Sequence, residues 1–269
     1  MVKELLKKFE VKAWDVPEFE VLEYLPKTNK ICICIFVINE MNRLQSQLQK
    51  MQLVTQYVDI IIADGGSNDG CVDESITKPF GVKATLVKLG SGKLGAQMRM
   101  AFAYAIDQGY EAIITVDGND KDDVVAGLPG FISKLNEGFD HIQGSRFISG
   151  GHHSNTPLLR LIAVKLIHAP LISLVSGFKY TDTTNGFRGY STKLLIDPKI
   201  AIFRKELSGY ELHYYIAIES ARQKYKCIEV PVSRSYPLHG KIPTKISFFS
   251  GNFKVLFTLF KVCLGFYKL

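Results

Sequence analysis

The run Ile60-Ile61-Ile62-Ala63 most limits what this chain can become. It is β-branched and apolar on both faces, the pattern of a strand covered on both sides. It stops abruptly in Asp64-Gly65-Gly66-Ser67-Asn68-Asp69-Gly70. Turn chemistry alone accounts for such a segment, because Gly, Asn and Asp dominate turns. A binding site accounts for it equally well, since ligands of open α/β sheets sit outside the carboxyl ends of the strands. The surrounding pattern favours such a sheet. Periodicity predicts strands over 31–38, 57–63, 83–88, 112–116 and 141–144, and helices over 40–52, 94–107 and 124–136. That alternation implies an α/β chain with a doubly wound, mostly parallel sheet.

A chain of 269 residues can bury a substantial core in one large α/β domain. The five cysteines show no metal-ligand spacing, and Cys32 and Cys34 share one face of a strand. Free thiols in a reducing compartment, the cytosol, are expected. The first residues are mixed in charge, with no apolar core of a secretory signal. The apolar run 158–178 contains Arg160, Lys165, His168 and Pro170. It predicts an amphipathic helix broken near Pro170 rather than a membrane span. The net charge of +7 is uneven: from Ala221 onward nine Lys or Arg accompany one acid, Glu229. The basic partner surface therefore belongs to the tail.

Three predicted strands deliver an acid to one sheet edge: Glu40 just after the first, Asp64 ending the second, Asp117 ending the one in "IITVDGNDKDD". One such acid is a cap or turn residue as readily as a ligand. Three together repel unless hydrogen-bond donors or a cation stabilise them, as ribose hydroxyls or a diphosphate-bound metal would. "GSGKLGA" is not a phosphate-binding loop, because Val87 stands where its first glycine belongs and Leu94 where its metal-binding hydroxyl belongs.

The ordered set "FVINE", "DGGSNDG", "GSGKLGAQMRMAFAYA", "TVDGND", "GSRFISGG" and "TDTTNGFRGYS" resembles the family 2 glycosyltransferases of the GT-A fold. Within them it is most similar to dolichol-phosphate mannosyltransferases and bacterial polyprenyl-phosphate sugar transferases. The resemblance spans about residues 30–246, as a nucleotide-sugar half (about 30–150) and an acceptor half (about 151–246) of one domain, 1–246. It implies an inverting transfer from a nucleotide-diphosphate sugar, UDP- or GDP-linked, assisted by Mg²⁺ or Mn²⁺. It places Glu40, Asp64, Gly66 and Asp117 on the nucleotide and Asp117 on the metal. Arg146 falls beside the diphosphate. Asp182, Asn185 and Arg188 fall in the acceptor loop, and Glu211 at a catalytic acid. Arg234 and Lys245 become phosphate contacts. Arg99 could face the donor or solvent.

One position departs from the family: Asn119 stands where a second metal-binding acid belongs. Its carbonyl can ligate a cation but brings no charge. Asp120 or Asp122 could substitute, and Asp122 or Asp123 could instead cap the next helix. Glu211 could equally be a polar residue of a first helical turn.

In segment 247–269, Gly251, Lys254, Thr258, Lys261, Gly265 and Lys268 form one stripe of a helix, against a broad aromatic face. That pattern fits a basic amphipathic C-terminal helix lying on anionic lipid, with packing on the domain or in a homodimer as the alternative. The whole reads as a peripheral enzyme at the cytoplasmic face of a membrane. It would move sugar to a polyprenyl phosphate or lipid-linked glycan. The rivals are extension of a soluble or surface polysaccharide, and a weakened nucleotide-sugar-binding partner subunit. Nucleic acid is not an expected partner, for want of a base-reading module.

Overall fold

The strands in chain order are β1 (Phe19–Glu23), β2 (Ile31–Val37), β3 (Asp59–Asp64), β4 (Val82–Lys88), β5 (Ala112–Asp117), β6 (His141–Ser145), β7 (His152–Ser154), β8 (Arg188–Ser191), β9 (Cys227–Pro231) and β10 (Ser233–Ser235). The computed structural model describes residues 2–237 and 250–269. Lys245, an expected phosphate contact, and the first residues of the expected tail segment lie outside them.

Eight strands make one sheet in the order β1-β4-β3-β2-β5-β8-β6-β9, and β7 and β10 make a small second one. β2, β3, β4 and β5 are parallel, so their carboxyl ends share an edge. The register sets Val37 of β2 opposite Asp64 and Phe36 opposite Asp117, which brings both acids to the tip of β2. β8 is an antiparallel insertion between β5 and β6, and β1 an antiparallel edge. Neither was expected: β8 is only Arg-Gly-Tyr-Ser, too short to show a period. β8 and β9 come from the second half of the chain, so both halves share one sheet.

Alternate residues of β2 feed two cores, as a two-residue period requires. Cys32, Cys34 and Phe36 face Met98 and Phe102 of the helix Leu94–Asp107, together with Leu212 and Ile216 of the helix Glu211–Arg222. Ile33, Ile35 and Val37 face Leu44 and Leu48 of Met41–Met51 and Leu128 and Phe131 of Val124–Asn136. All five cysteines are free.

The run 158–178 forms a helix with an irregular centre: Leu158–Ala163, a π-turn over Val164–His168, then Ala169–Ser176. The irregularity falls just before Pro170, whose missing N–H and ring disturb the preceding turn. Among the described residues this helix, Leu158–Ser176, is long and apolar enough to cross a membrane, and most of it is not buried. The last helix, Ser250–Cys263, is shorter than expected. Gly265 adopts a left-handed conformation, with Gly265 N–H on the Val262 carbonyl and Phe266 N–H on that of Lys261. That closing motif ends the helix, so Lys268 lies beyond the stripe of Lys254 and Lys261.

Candidate active site

The β3 tip is a closed knot. Asp64 is fully buried, and one carboxylate oxygen accepts from Gly66 N–H at 2.9 Å and Ser67 N–H at 2.8 Å. The other accepts from Ser67 Oγ at 2.5 Å. Asn39, at φ +50°, accepts from Asn68 N–H at 2.8 Å, while Ser67 Oγ accepts from Asn39 N–H at 2.9 Å. Asp69 accepts from Met41 N–H at 3.0 Å and so caps the helix Met41–Met51. Gln97, unremarked in the sequence, donates to the carbonyls of Val37 and Ala63 and ties the β2 and β3 tips together. Three of the bonds that the Asp64 carboxylate accepts thus come from its own loop. Gly66, at φ +96°, is needed for the turn itself. Glu40 sits at the mouth beside this knot and pairs with Arg43 at 2.5 Å.

The β5 tip is built differently. Asp117 keeps 32% of its side chain exposed. Its Oδ2 accepts from Arg234 Nη2 at 3.0 Å and from Asn119 Nδ2 at 3.4 Å. Gly186 passes so close that a β-carbon there would lie 2.8 Å from Asp117 Oδ1, so that glycine of "TTNGFRG" makes room for the carboxylate. Burial opposes ionisation of Asp117, but Arg234 and Lys121 outweigh it and hold its pKa below the usual carboxylate range. The other Arg234 nitrogen, Nη1, donates to Asp122, which is buried and whose pKa burial pushes up. Lys121 is buried over the Tyr236 ring at 5.2 Å, and burial, then Arg234, draws its pKa down to about 8. Arg160 donates to the Tyr236 hydroxyl at 2.8 Å. Lys121, Tyr236 and Arg160 were not singled out from sequence. Their two signals were a lysine two residues past Asn119 and an arginine inside an apolar run.

The other candidates are dispersed. Asp120 points away, pairing with Lys50 at 2.7 Å and Ser46 Oγ at 2.7 Å, so it does not stand in for a second metal-binding acid. Asp123 caps the helix Val124–Asn136 through Ala126 N–H. Arg146 and Asp182 form a buried two-pronged pair, with Nε to Oδ2 at 2.6 Å and Nη2 to Oδ1 at 3.0 Å. The pair ties the loop after β6 to the loop before β8. Arg188 is likewise buried and donates to the carbonyls of Asn185, Thr183 and His213. It pins residues 183–185 to the helix Glu211–Arg222. Asn185 is buried and accepts from Phe187 N–H at 3.0 Å. Arg99 is buried rather than solvated and pairs with Asp15 at 2.9 Å. Glu211 opens its helix and accepts from Gly209 N–H, beside the start of the helix Leu94–Asp107.

For a metal, the informative atom is Asn119 Oδ1, buried with no hydrogen-bond partner. An unpartnered carbonyl two residues from a carboxylate suits a hard divalent cation. Among the described residues no three His, Cys, Asp or Glu converge into a complete metal site. The residues therefore fit a cation that takes Asp117 and Asn119 from the protein and its other ligands from a bound diphosphate.

A central sheet with an acid-bearing carboxyl edge, open at Asp117, is the arrangement of a GT-A fold. Comparison with known proteins agrees. The chain is 25% identical over 210 residues to the polyprenol monophosphomannose synthase of Mycolicibacterium smegmatis, covering 77% of each. It is 32% identical over 138 residues to a dolichyl-phosphate hexose transferase of Haloferax volcanii, covering 51% of this chain and 55% of that one. No family model matches. Among solved structures, glucosyl-3-phosphoglycerate synthase of Mycobacterium tuberculosis, with Mn²⁺, UDP-glucose and phosphoglyceric acid, superposes at a TM-score of 0.61 and 15% identity, covering 98% of this chain and 84% of that one. The same enzyme has been solved with Mg²⁺ and UDP. The chain is a glycosyltransferase of the GT-A fold, with polyprenyl-phosphate sugar transferases among its relatives.

Proposed function

We propose that the chain transfers a sugar, with inversion, from a UDP- or GDP-sugar to a polyprenyl phosphate or lipid-linked glycan at the cytoplasmic face of a membrane. The observation that carries this reading is the open carboxylate of Asp117 with Arg234 and Lys121 beside it, and Arg160 nearby on the Tyr236 hydroxyl. Lys121 and Arg160 would supply charge for phosphates beside the reacting bond. The names of the sequence relatives support the lipid-linked acceptor. So does the surface. Arg160 belongs to the helix whose Leu158, Leu166 and Leu174 are 69%, 71% and 80% exposed. The final helix exposes Phe253, Phe257 and Phe260, with Lys254 beside them. Apolar faces edged by lysine suit an anionic lipid surface.

In this reading Glu40 and the backbone at Gly66 border the nucleotide. Asp117 and Asn119 would hold Mg²⁺ or Mn²⁺, which would neutralise the leaving diphosphate. A phosphate monoester acceptor is already nucleophilic and needs no base. Glu211 is the candidate base only for a hydroxyl acceptor.

A second reading keeps the donor and changes the acceptor to a soluble one, as the solved neighbour's phosphoglyceric acid suggests. Radiolabelled transfer from UDP- and GDP-sugars, with Mn²⁺, to a short-chain polyprenyl phosphate and to 3-phosphoglycerate separates the two. Product on the polyprenyl phosphate is expected. Product on the soluble acceptor alone overturns the lipid assignment. Donor binding without turnover on any acceptor marks a partner subunit.

A further inference from the structure

Two carboxylates, the open Asp117 and the buried Asp122, share one guanidinium at the β5 tip, and two buried acceptors nearby have no partner. Arg234 bridges Asp117 and Asp122, one nitrogen to each. The unpartnered atoms are Asn119 Oδ1 and Asp122 Oδ1. A buried acceptor left unmade costs about 1–3 kcal/mol, so two in one cluster call for a physical reason.

We infer that Arg234 is the cation that occupies Asp117 before a divalent metal does, and that the metal binds by releasing it onto Asp122. This rests on the transferase reading of the site and assigns Arg234 as a positioning residue. The two empty acceptors are then the second halves of two contacts. Asn119 Oδ1 awaits the metal. Asp122 Oδ1 awaits the Arg234 nitrogen that leaves Asp117, completing a two-pronged arginine–carboxylate pair.

The backbone allows the exchange without moving β10. Arg234 and Asp122 are paired in a β-bridge. Asp123 N–H donates to the Ser233 carbonyl at 3.0 Å and Ser235 N–H to that of Lys121 at 2.8 Å. The Arg234 backbone is therefore fixed beside Asp122, and only the guanidinium has to turn. The Tyr236 ring, 5.9 Å from the guanidinium, offers it an apolar face. Asn119 in place of an acid fits the same scheme. A second carboxylate here would hold the metal more tightly, and Arg234 would lose the competition at any metal level. With a neutral ligand the balance turns on the bound diphosphate, so metal and donor arrive together.

The test is calorimetric titration of Mn²⁺ into the full chain, with and without UDP, for wild type, Arg234→Gln and Arg234→Lys. Removing the competitor in Arg234→Gln should tighten Mn²⁺ binding by about tenfold or more. Arg234→Lys cannot span both carboxylates and should fall between, which keeps the test usable if the glutamine variant does not fold. In parallel, the guanidinium N–H signals of isotope-labelled arginine are followed on adding diamagnetic Mg²⁺. The signal missing from Arg234→Lys is assigned to Arg234 and should shift as Mg²⁺ binds. Mn²⁺ affinity unchanged or weakened in both variants, or an Arg234 signal that stays put while Mg²⁺ binds, overturns the inference. Either result from a wild-type protein that still transfers sugar leaves the transferase reading intact.

Discussion

The tips of β3 and β5 end in the same residue type, on the same sheet edge, one on each side of β2. Their fates differ. Asp64 accepts from three donors of its own loop, all within three residues. Asp117 is met by side chains only, from Asn119 and from Arg234 far along the chain. A carboxylate closed by local backbone N–H groups shapes a turn, because nothing can displace those donors without unfolding it. A carboxylate held by a side-chain cation can exchange that partner for a ligand. The same contrast separates Arg234 from Arg146. Arg146 lies in a closed buried pair with Asp182, whereas Arg234 is stretched between two acids.

The contrast can be broken by substitution. Asp117→Ala should lower transfer by at least about two orders of magnitude while the thermal midpoint stays near wild type. Steady-state turnover beside a melting curve checks both, and near-normal turnover would remove Asp117 from the chemistry. Arg146→Ala should do the reverse. Leaving Asp182 buried without its cation should cost about 3–5 kcal/mol of stability. Urea unfolding measures it, and a stable variant with only a raised donor KM would return Arg146 to the diphosphate. Replacing Lys254 and Lys261 together by Glu should weaken binding to anionic vesicles by more than about tenfold. Co-sedimentation that is equal for both proteins would leave the last helix as a packing or dimer element. Asn119→Asp should tighten Mn²⁺ binding several-fold without loss of turnover, since it adds a charge where an unpartnered carbonyl now sits. Unchanged affinity would take Asn119 out of the metal site.

The parallel core of the sheet was legible because β2, β3 and β5 are apolar runs with strong periods and turn residues at their ends. Their parallel order alone gathers Glu40, Asp64 and Asp117. What the sequence could not show was which acids are already spent. The Asp64 knot depends on the φ of Asn39 and on Ser67 reaching back, and these are matters of local geometry. The pairing of Arg146 with Asp182 depends on the antiparallel β8, a strand too short to announce itself. Lys121, Arg160 and Tyr236 converge only because β10 runs beside residues 121–123. The length of the final helix was misread because Gly265 fits the stripe by spacing while its backbone ends the helix.

The most direct measurement is donor binding by calorimetry, with UDP- and GDP-sugars and Mn²⁺, to wild type, Asp117→Asn and Asp64→Asn. Each variant is first shown to be folded by circular dichroism. Wild type is expected to bind one of the donors, and Asp117→Asn to lose Mn²⁺-dependent binding. Asp64→Asn is expected to retain that binding at reduced thermal stability. Donor binding that survives in Asp117→Asn and vanishes in a folded Asp64→Asn would contradict the account, because the open carboxylate would then be the idle one.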